Sequence, residues 1–412
     1  MYLMKLLRGC ASNDKNCCDD FTISGKRSEG RKGQMLKEEE RLWAQKTLDR
    51  VAGKLAKVSE RSAHKIPYTT KEGVHDDRSG ESEIGWWTNG FWGGMMWQMY
   101  ALTGEERYAQ IARENERKLD ACLMDYEKQD HDNGFKWLPT AVADYRVTGN
   151  REARNRGLLA AGNLAGRYNS AGKFLRAWND GTDGVDRRGW AIIDCMMNLP
   201  LLYWASEETG DPRFRQIAMN HADTARRCFV REDGSVNHIV EFDPDTGRMV
   251  RSYGGQGYAE GSSWTRGQSW GLYGFVLSYI HTGKKEYLET AERIAGYFAE
   301  NIPDGGLIPV DFRQPAEVKL EDSTAAAIAS CGLIELAKRK GGEAGEIYLH
   351  AALRLLHALT DSRVNWNEEE DDLLQKCTAA YHDAEHEFSI IYGDYYYLEA
   401  LMKLTEKEQF LW

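Results

Sequence analysis

The sequence predicts an all-α protein built as an (α/α)6 barrel, with six helical hairpins forming an inner ring of six helices and an outer ring of six. Three observations support this fold class. A hairpin signal recurs along the chain, and apolar helices alternate with amphipathic ones. Strand-like segments, such as 235–242 and 307–312, are few and short.

The recurring signal is an apolar helix that ends in Thr-Gly and is followed by polar residues. Four clear copies lie at 100–108, 145–150, 206–214 and 279–287, and a looser copy lies at 337–342. Glycine directly after a helix adopts the left-handed conformation that ends the last turn. The Asp, Asn or Glu that follows can cap the next helix. Each copy therefore predicts two antiparallel helices joined by a short loop.

From Lys37 onward the periodicity predicts about twelve helices. The expected spans are 37–59, 86–102, 105–125, 135–147, 150–168, 188–208, 211–229, 266–281, 284–301, 322–340, 345–361 and 391–405. Even-numbered helices are apolar nearly all round and should be buried, whereas odd-numbered helices carry a polar face and should meet solvent. This alternation favours a closed ring. An open solenoid of hairpins is the alternative, but it needs polar end caps, and the last helix is too apolar for one.

Two parts of the chain are distinguished by composition. Residues 1–36 are polar and show no period, so we expect a poorly ordered tail before a single barrel domain at 37–412.

The formal net charge of −11 argues against a nucleic-acid partner, since phosphate binding needs a basic surface. No uncharged apolar stretch reaches the roughly 18 residues of a membrane span. Lys5 and Arg8 interrupt any apolar leader at the start.

The eight cysteines are scattered and form no C-x-x-C pair. This usage is typical of a reducing compartment, so we expect a cytoplasmic protein with neither a disulfide framework nor a zinc site. His131 lies beside Asp132, but two adjacent residues cannot build a metal site, and no H-x-H or H-E-x-x-H spacing occurs. We therefore expect no metal and no cofactor.

Polar and aromatic clusters lie where the chain enters the inner helices. In a closed ring these loops open on one rim, so the clusters should converge on one cleft. They are 86–92, 130–135, Asp194, Gln256 with 263–270, 321–323 and 392–397. Indole rings stack on the apolar faces of sugars, although they also pack in cores. Carboxylates, indoles, amides and an arginine together indicate a carbohydrate site.

Asp194 is the single carboxylate in the apolar run 188–205. An unpaired carboxylate in a core costs several kcal/mol or raises its pKa, and an acid with a raised pKa can donate a proton near neutrality. Glycosidic chemistry uses two carboxylates. We interpret Asp194 as the proton donor and Asp132 as its polar, ionised partner.

Each candidate also has a structural interpretation. Asp194 can cap the following helix or be satisfied by a buried partner. Asp322 and Ser323 fit helix N-caps better than catalytic groups, and Asp394 can cap the last helix. Arg266 fits a structural ion pair as well as an anion ligand. Asp132, close to a glycine, can be a turn residue.

Five motifs run in order across about residues 40–405. They are WWTNGFW at 86–92, HDNGF at 131–135, IIDCMMNLP at 192–200, SSWTRGQSWG at 262–271 and GDYYYLEAL at 393–401. Together they resemble the unsaturated glucuronyl hydrolases of glycoside hydrolase family 88. The resemblance implies an (α/α)6 barrel and, as substrate, an oligosaccharide left by a polysaccharide lyase. The non-reducing end of such a substrate is a 4,5-unsaturated uronic acid.

The resemblance also implies roles for individual residues. Asp194 matches the catalytic Asp, which protonates C4 of the vinyl ether so that water adds at C5. Asp132 matches a second essential Asp, which engages the hydroxyls of the uronate and tunes the first. The matching substrate-binding positions are Trp87, His131, Trp178, His238, Gln256, Arg266 and Trp270. The implied partner is the oligosaccharide alone, acted on by a monomer or weak homo-oligomer.

Three alternative functions stay open at this point. The first is an unsaturated rhamnogalacturonyl hydrolase acting on pectin fragments, although the motifs at 264–270 and 393–397 favour the glucuronyl type. A sugar epimerase on the same barrel would need paired histidines. A carbohydrate-binding barrel without activity would gain nothing from a desolvated acid at Asp194.

Overall fold

Helices dominate the computed structural model, which describes residues 36–181 and 183–412. Within these ranges the α-helices, in chain order, are α1 (Glu38–Arg61), α2 (Phe91–Thr103), α3 (Glu106–Lys118), α4 (Asp120–Leu123), α5 (Asn133–Trp137), α6 (Ala143–Thr148), α7 (Arg151–Ala165), α8 (Leu199–Thr209), α9 (Pro212–Cys228), α10 (Thr265–Thr282), α11 (Lys285–Glu300), α12 (Ser323–Lys340), α13 (Gly342–Ser362) and α14 (Ile391–Leu404). A π-helical turn, Leu138–Val142, joins α5 to α6. Short 3-10 segments span Trp87–Gly90, Tyr126–Lys128 and Ile193–Met197.

The strands in the described ranges form three small antiparallel sheets. They are β1 (Thr70–Lys71), β2 (Val74–His75), β3 (Tyr168–Asn169), β4 (Phe174–Leu175), β5 (Trp190–Ile192), β6 (Ile239–Phe242) and β7 (Met249–Tyr253). β1 pairs with β2, β3 pairs with β4, and the third sheet has the order β5-β6-β7. In this sheet Ile192 pairs with Ile239, which pairs in turn with Tyr253. The sheet lies next to the chemistry, because β5 leads directly into the turn that carries Asp194.

The helices form two concentric rings. The inner ring runs from α2 to the α5–π–α6 helix, then to α8 with its preceding 3-10 turn, and on to α10, α12 and α14. Each of these contacts the next, and α14 contacts α2, so the ring is closed. α1, α3, α7, α9, α11 and α13 pack outside it. The predicted (α/α)6 barrel is confirmed, and the open solenoid is wrong.

Burial follows the alternation seen in the sequence. Every residue of α12 from Ser323 to Ala337 is buried, whereas α11 buries one face, including Tyr287, Ile294 and Phe298. Each apolar side chain of this size contributes about 2 kcal/mol when fully buried. The inner helices therefore form the core, and the outer helices shield it from solvent.

The recurring Thr-Gly signal ends helices as predicted. Gly104, Gly149, Gly210 and Gly283 follow α2, α6, α8 and α10, with φ angles of 72°, 75°, 69° and 70°. Such positive φ values are strained for residues with a Cβ atom. The short loops after these glycines place consecutive helices antiparallel.

Two predicted inner helices are interrupted. The span predicted as helix 188–208 begins instead with β5 and a 3-10 turn, and α8 starts only at Leu199. Pro200 lies in the first turn of α8, the part of a helix where the missing proline N–H does no harm. The span predicted as helix 135–147 contains the π turn, with Pro139 inside it.

The π turn packs closely against α2. A Cβ atom on Gly94 would lie 2.6 Å from Pro139 Cβ, and one on Gly93 would lie 2.9 Å from Thr140 Cγ2. Only glycine allows the two inner helices to approach this far. The π turn and the two glycines of α2, Gly93 and Gly94, are therefore sterically complementary.

Other expectations have mixed outcomes. Of the strand predicted at 235–242, only Ile239–Phe242 forms β6, and the segment 307–312 makes only isolated bridges. The tail predicted for residues 1–36 lies outside the described residues except for Leu36, so it stays a prediction. None of the described helices combines the length and the apolar character that crossing a membrane requires.

Candidate active site

One end of the barrel holds a cavity of about 650 Å³. Its lining comes from the loops and first turns that enter the inner helices. All nine residues predicted from the sequence line it, namely Trp87, His131, Asp132, Trp178, Asp194, His238, Gln256, Arg266 and Trp270. The fold thus brings together residues that are more than 180 positions apart in the chain. Their individual roles stay predictions.

Asp132 lies at the start of α5 in a tightly packed corner. Asn198 donates its Nδ2–H to Asp132 Oδ1 over 3.1 Å, and His131 Nε2 lies 3.4 Å from Asp132 Oδ2. Burial raises the pKa of the Asp132 carboxyl well above its usual range, and the nearby charges of Asp130 and Asp194 add to this rise. Asp132 therefore favours its neutral form more strongly than an ordinary aspartate does.

Asp194 lies in the 3-10 turn that follows β5, and its carboxyl reaches the cavity. The nearest ring nitrogen is His238 Nε2, 3.4 Å from Asp194 Oδ1. That oxygen is buried and accepts no hydrogen bond from the described residues. Asp194 thus lines the cavity with one oxygen buried beside the His238 ring.

The expected contrast between the two carboxyls is wrong. Asp132 was the predicted polar, ionised partner, yet its side chain is 9% exposed against 14% for Asp194. The strand and 3-10 turn direct Ile193, Cys195 and Met196 into the core and leave Asp194 at the cavity. The negative charges of Asp130 and Asp194 disfavour ionisation of Asp132 further, because neighbouring like charges resist ionising together.

His238 is held in one tautomer by the chain next to it. The main-chain N–H of Gln256 donates to His238 Nδ1 over 3.0 Å, so a neutral ring carries its proton on Nε2. This places an N–H beside Asp194 Oδ1. Gln256 is itself fixed, because its side-chain Nε2 donates to the Ala379 carbonyl over 2.7 Å.

His131 is fixed through its main chain, whose N–H donates to the Ala177 carbonyl over 3.0 Å. Burial lowers the pKa of its imidazole to about 4, so the ring is neutral at neutral pH. The edge of the ring faces Trp178, with the ring centroids 6.3 Å apart. His131 therefore connects the Asp132 corner to an indole of the cavity wall.

Arg266 is buried and makes a structural ion pair, one of the two interpretations offered for it. Its Nη1 donates to Asp322 Oδ2 and to the Thr378 carbonyl, each over 2.6 Å. The guanidinium also lies 4.4 Å from the Trp264 ring centroid.

Asp322 caps α12 by accepting the N–H of Thr324, so its predicted N-cap role is confirmed. Asp394, in contrast, is not the predicted cap; it lies inside α14 and accepts the N–H groups of Leu373 and Leu374.

Aromatic rings form the apolar floor of the cavity. The Phe135 ring lies 5.4 Å from Trp87 and 5.1 Å from Trp270, measured between centroids. Trp270 is only 1% exposed, so it supports the floor more than it offers a stacking face. Trp178 is half-buried beside Trp190 and has more free surface.

Several lining residues were not selected from the sequence. They are Arg78, Ser82, Glu83, Gly85, Trp86, Glu127, Lys128, Asp130, Phe135, Ile192 and Trp264. Trp86, Asp130, Phe135, Ile192 and Trp264 do lie in or beside the motifs already noted. Arg78 and Glu83 carry no such signal, since they are charged residues of an irregular loop. They pair with each other over 2.9 Å at the mouth of the cavity.

The donor set does not form a metal centre. Among residues 36–181 and 183–412, no group of three or more His, Cys, Asp or Glu side chains is placed to hold a metal ion. The predicted residues that converge are instead the Asp132 and Asp194 carboxyls, two imidazoles, an amide, a guanidinium and indoles. This set can transfer a proton and bind hydroxyl groups and sugar rings.

Comparison with known proteins identifies one group of similar enzymes. A family model described as Glycosyl Hydrolase Family 88 matches residues 58–411. The chain is 36% identical over 361 residues to an unsaturated glucuronyl hydrolase from Bacillus sp. (strain GL1), covering 86% of this chain and 93% of that one. It is 34% identical over 333 residues to an unsaturated chondroitin disaccharide hydrolase from Streptococcus pneumoniae (strain ATCC BAA-255 / R6), covering 79% and 83%.

The structural similarity is equally extensive. The fold matches the crystal structure of an unsaturated glucuronyl hydrolase from Bacillus sp. GL1, which its description calls responsible for the degradation of glycosaminoglycan. The TM-score is 0.81 at 34% identity, and the match covers 88% of this chain and 96% of that one. The resemblance seen in the sequence motifs is confirmed.

Proposed function

The chain belongs to glycoside hydrolase family 88, and from this premise we propose that it releases the 4,5-unsaturated uronic acid from the non-reducing end of lyase-generated oligosaccharides. One observation carries this proposal: Asp132 and Asp194 line the same cavity, and the remaining lining of that cavity can bind a sugar. Burial and the negative charges of Asp130 and Asp194 raise the pKa of the Asp132 carboxyl. We assign delivery of the proton to Asp194, which matches the catalytic Asp of the family motif and lines the cavity.

In the first step, Asp194 donates its proton to C4 of the vinyl ether. The C4=C5 double bond supplies the electrons, and the positive charge that develops at C5 is shared with the ring oxygen. His238 Nε2–H faces the Asp194 carboxylate that remains and stabilises its charge. A general acid positioned in this way contributes roughly 10²–10⁴-fold to the rate.

In the second step, water adds at C5 and gives a proton to Asp194, which regains its starting state. The product is a hemiketal at C5. As it opens, C5 becomes a ketone, the bond from C5 to the ring oxygen breaks, and the proton of the C5 hydroxyl passes to that oxygen. The resulting hemiacetal at C1 collapses to an aldehyde, and the leaving sugar departs with the proton. One water is consumed in total. A single carboxyl that first gives and then takes a proton is sufficient.

The remaining residues bind and orient the substrate. Asp132, whose raised pKa favours the neutral form, can donate to and accept from the uronate hydroxyls while it tunes Asp194. Trp178 and Trp87 supply indole surface for the sugar ring. Arg266 places a buried positive charge near an anionic substrate. It also donates to the Thr378 carbonyl, next to the Ala379 carbonyl that accepts from Gln256.

We propose a glycosaminoglycan fragment as the substrate class. Relatives named as glucuronyl and chondroitin disaccharide hydrolases support this choice. An unsaturated rhamnogalacturonyl hydrolase acting on pectin fragments is the alternative. The epimerase interpretation loses support, because the similar proteins are named as hydrolases.

We also propose where and how the enzyme works. The free cysteines Cys122, Cys195, Cys331 and Cys377 are buried without disulfide partners in the described residues, which fits the reducing cytoplasm. A monomer or weak homo-oligomer is sufficient, since one chain supplies the whole set of lining residues. The reaction requires no metal, so we expect activity to survive exhaustive chelation.

A panel of unsaturated disaccharides from chondroitin, hyaluronan, heparin and pectin tests the proposal. Turnover is followed by loss of the ultraviolet absorbance of the conjugated double bond. We expect activity on the glycosaminoglycan members, and preference for the pectin member would favour the alternative. In heavy-oxygen water the label should appear at C5 of the released keto-uronate. Label at the reducing carbon of the leaving sugar, or comparable turnover of a saturated glucuronide, would contradict the hydration mechanism.

A further inference from the structure

A second cavity of about 640 Å³ lies outside the catalytic one. It is bordered by the last turns of α7, the strand β3 and the segment 123–129. Its described lining contains three arginines, Arg167, Arg176 and Arg188, and no carboxylate. In a chain with a net charge of −11, this is a local concentration of positive charge.

Arg167 is the innermost of the three cations. Its guanidinium donates to the carbonyls of Gln129, Arg176 and Ala177 and to Asn179 Oδ1, over 2.9–3.1 Å. These acceptors are neutral, and no carboxylate of the described residues lies within ion-pair distance of Arg167. Burial without a counter-ion lowers the pKa of this guanidinium. An anion entering the cavity would supply the missing charge.

Arg176 and Arg188 have partners outside the cavity lining. Arg176 pairs with Asp180 and Arg188 pairs with Asp186, each over 2.8 Å, and both aspartates are about half exposed. Ion pairs this exposed contribute at most about 1 kcal/mol. The Nε of Arg176 is buried and has no acceptor among the described residues. Both arginines therefore keep hydrogen-bonding capacity for a ligand.

The rest of the lining suits a sugar ring rather than a small ion. Tyr126 is 67% exposed and Met124 is 93% exposed, and both border the cavity. Asn163 and Asn169 add side-chain amides, and Tyr168 adds a second ring. The volume nearly equals that of the catalytic cavity. We propose that this second cavity binds an acidic saccharide, with the arginines holding its carboxylate or sulfate and Tyr126 stacking on a ring face.

The two cavities share a wall. In the segment 126–130, Glu127, Lys128 and Asp130 line the catalytic cavity, whereas Tyr126 and Gln129 line the second one. Arg167 and the His131 N–H both donate to the Ala177 carbonyl. A saccharide in the second cavity would therefore contact the segment that positions His131 and Asp132 in the catalytic cavity. Its binding does not depend on the proposed reaction.

The test uses a saturated glucuronate–N-acetylgalactosamine 6-sulfate disaccharide, which the hydration mechanism cannot consume. Isothermal titration of the full chain should give two sites. The variant Arg176→Gln/Arg188→Gln should retain the catalytic site and weaken the second at least tenfold. Arg213→Gln/Arg248→Gln, at two exposed arginines, is the matched control and should keep both sites. Thermal unfolding verifies that each variant is folded, and Arg188→Gln alone provides a milder version.

Three outcomes would overturn the proposal. One is a single site in the unaltered chain. Another is two sites that the arginine substitutions leave unchanged. The third is equal competition at the second site by inorganic sulfate at the same concentration, because that would identify a simple anion site without saccharide recognition. Turnover of the unsaturated substrate at low concentration should differ less than twofold between the double variant and the control. A failed disaccharide panel with two intact sites would reject the proposed reaction alone.

Discussion

Asn198 donates its side-chain Nδ2–H to Asp132 Oδ1 over 3.1 Å, and its own Oδ1 accepts the main-chain N–H of Phe135 over 2.8 Å. The same Nδ2 lies 3.4 Å from the carbonyl oxygen of Asp194. One fully buried amide thus links the start of α5 to the turn that carries Asp194. The geometry of the carboxyl pair depends on this link, which the sequence motifs did not single out.

Replacing Asp132 by Asn should remove the contribution of this carboxyl to the pH dependence of stability, and it should also impair catalysis. The folded protein holds the Asp132 proton more tightly than the unfolded chain does, because its pKa is raised in the fold. Asp132 makes its full contribution to the free energy of unfolding below about pH 3.8, where the folded and unfolded states both hold the proton. That contribution falls as pH rises toward the pKa in the fold, by at most about 1.4 kcal/mol per pH unit. We expect Asp132→Asn to be more stable than the parent protein at pH 7 and to converge with it near pH 3.

Denaturant unfolding at several pH values measures this difference. Asp186→Asn is a control of opposite sign, because Arg188 lowers the pKa of Asp186 to about 2. Its ion pair stabilises the fold above the unfolded pKa and is lost as pH falls. A constant gap between Asp132→Asn and the parent protein at every pH would show that Asp132 is not protonated in the fold.

Asp194→Asn should abolish turnover and leave the fold and substrate binding largely intact. The amide keeps the size of the carboxyl but cannot supply or take up the proton. Loss of a positioned acid costs roughly 10²–10⁴-fold, and more where one group serves two steps. Single-turnover kinetics and titration with the unsaturated disaccharide separate the two effects. A variant that keeps more than about a tenth of the parent rate would transfer the acid role to Asp132.

Trp178→Ala should change substrate binding, whereas Trp270→Ala should change the stability of the fold. Trp178 is half-buried at the cavity, so its loss should raise KM several-fold with little change in stability. Trp270 packs on Phe135 and Tyr396 and is 1% exposed, so its loss should cost about 3–5 kcal/mol of unfolding free energy. Steady-state kinetics and denaturant unfolding on both variants make the comparison. If both changed only stability, neither indole would be a sugar platform.

Arg266→Ala should destabilise the protein by about 3–5 kcal/mol, because it leaves the buried Asp322 carboxyl without its cation. Arg266→Lys restores a positive charge but not the two-armed contact with Thr378 and Ala379, so it should recover only part of the loss. Arg248→Ala, at an exposed position, is the control. An unfolding midpoint for Arg266→Ala equal to that of the control would mean that the ion pair contributes nothing to the fold.

The sequence predicted the hairpins because their signals are local. Gly104 and Gly149 end helices through their own backbone freedom, and periodicity marks the buried face of α11. The surroundings of Asp132 and Asp194 were not predictable in this way. Asp194 has apolar neighbours in sequence, but a strand and a 3-10 turn direct it to the cavity. Asp132 has polar neighbours, but Asn198, 66 residues later in the chain, buries it.

The π turn at Leu138–Val142 makes the effect of a one-residue deletion depend on its position in this inner helix. The turn holds one residue more than ordinary α-helical pairing does, and its wider ring takes up that residue locally. Removing one residue from the turn should therefore restore α-helical pairing and leave the directions of Phe135 and Asp132 unchanged. Removing one residue from α6, which is regular helix, should instead rotate these side chains by about 100° relative to the hairpin at Gly149. The same deletion thus has opposite consequences at two adjacent places in one inner helix.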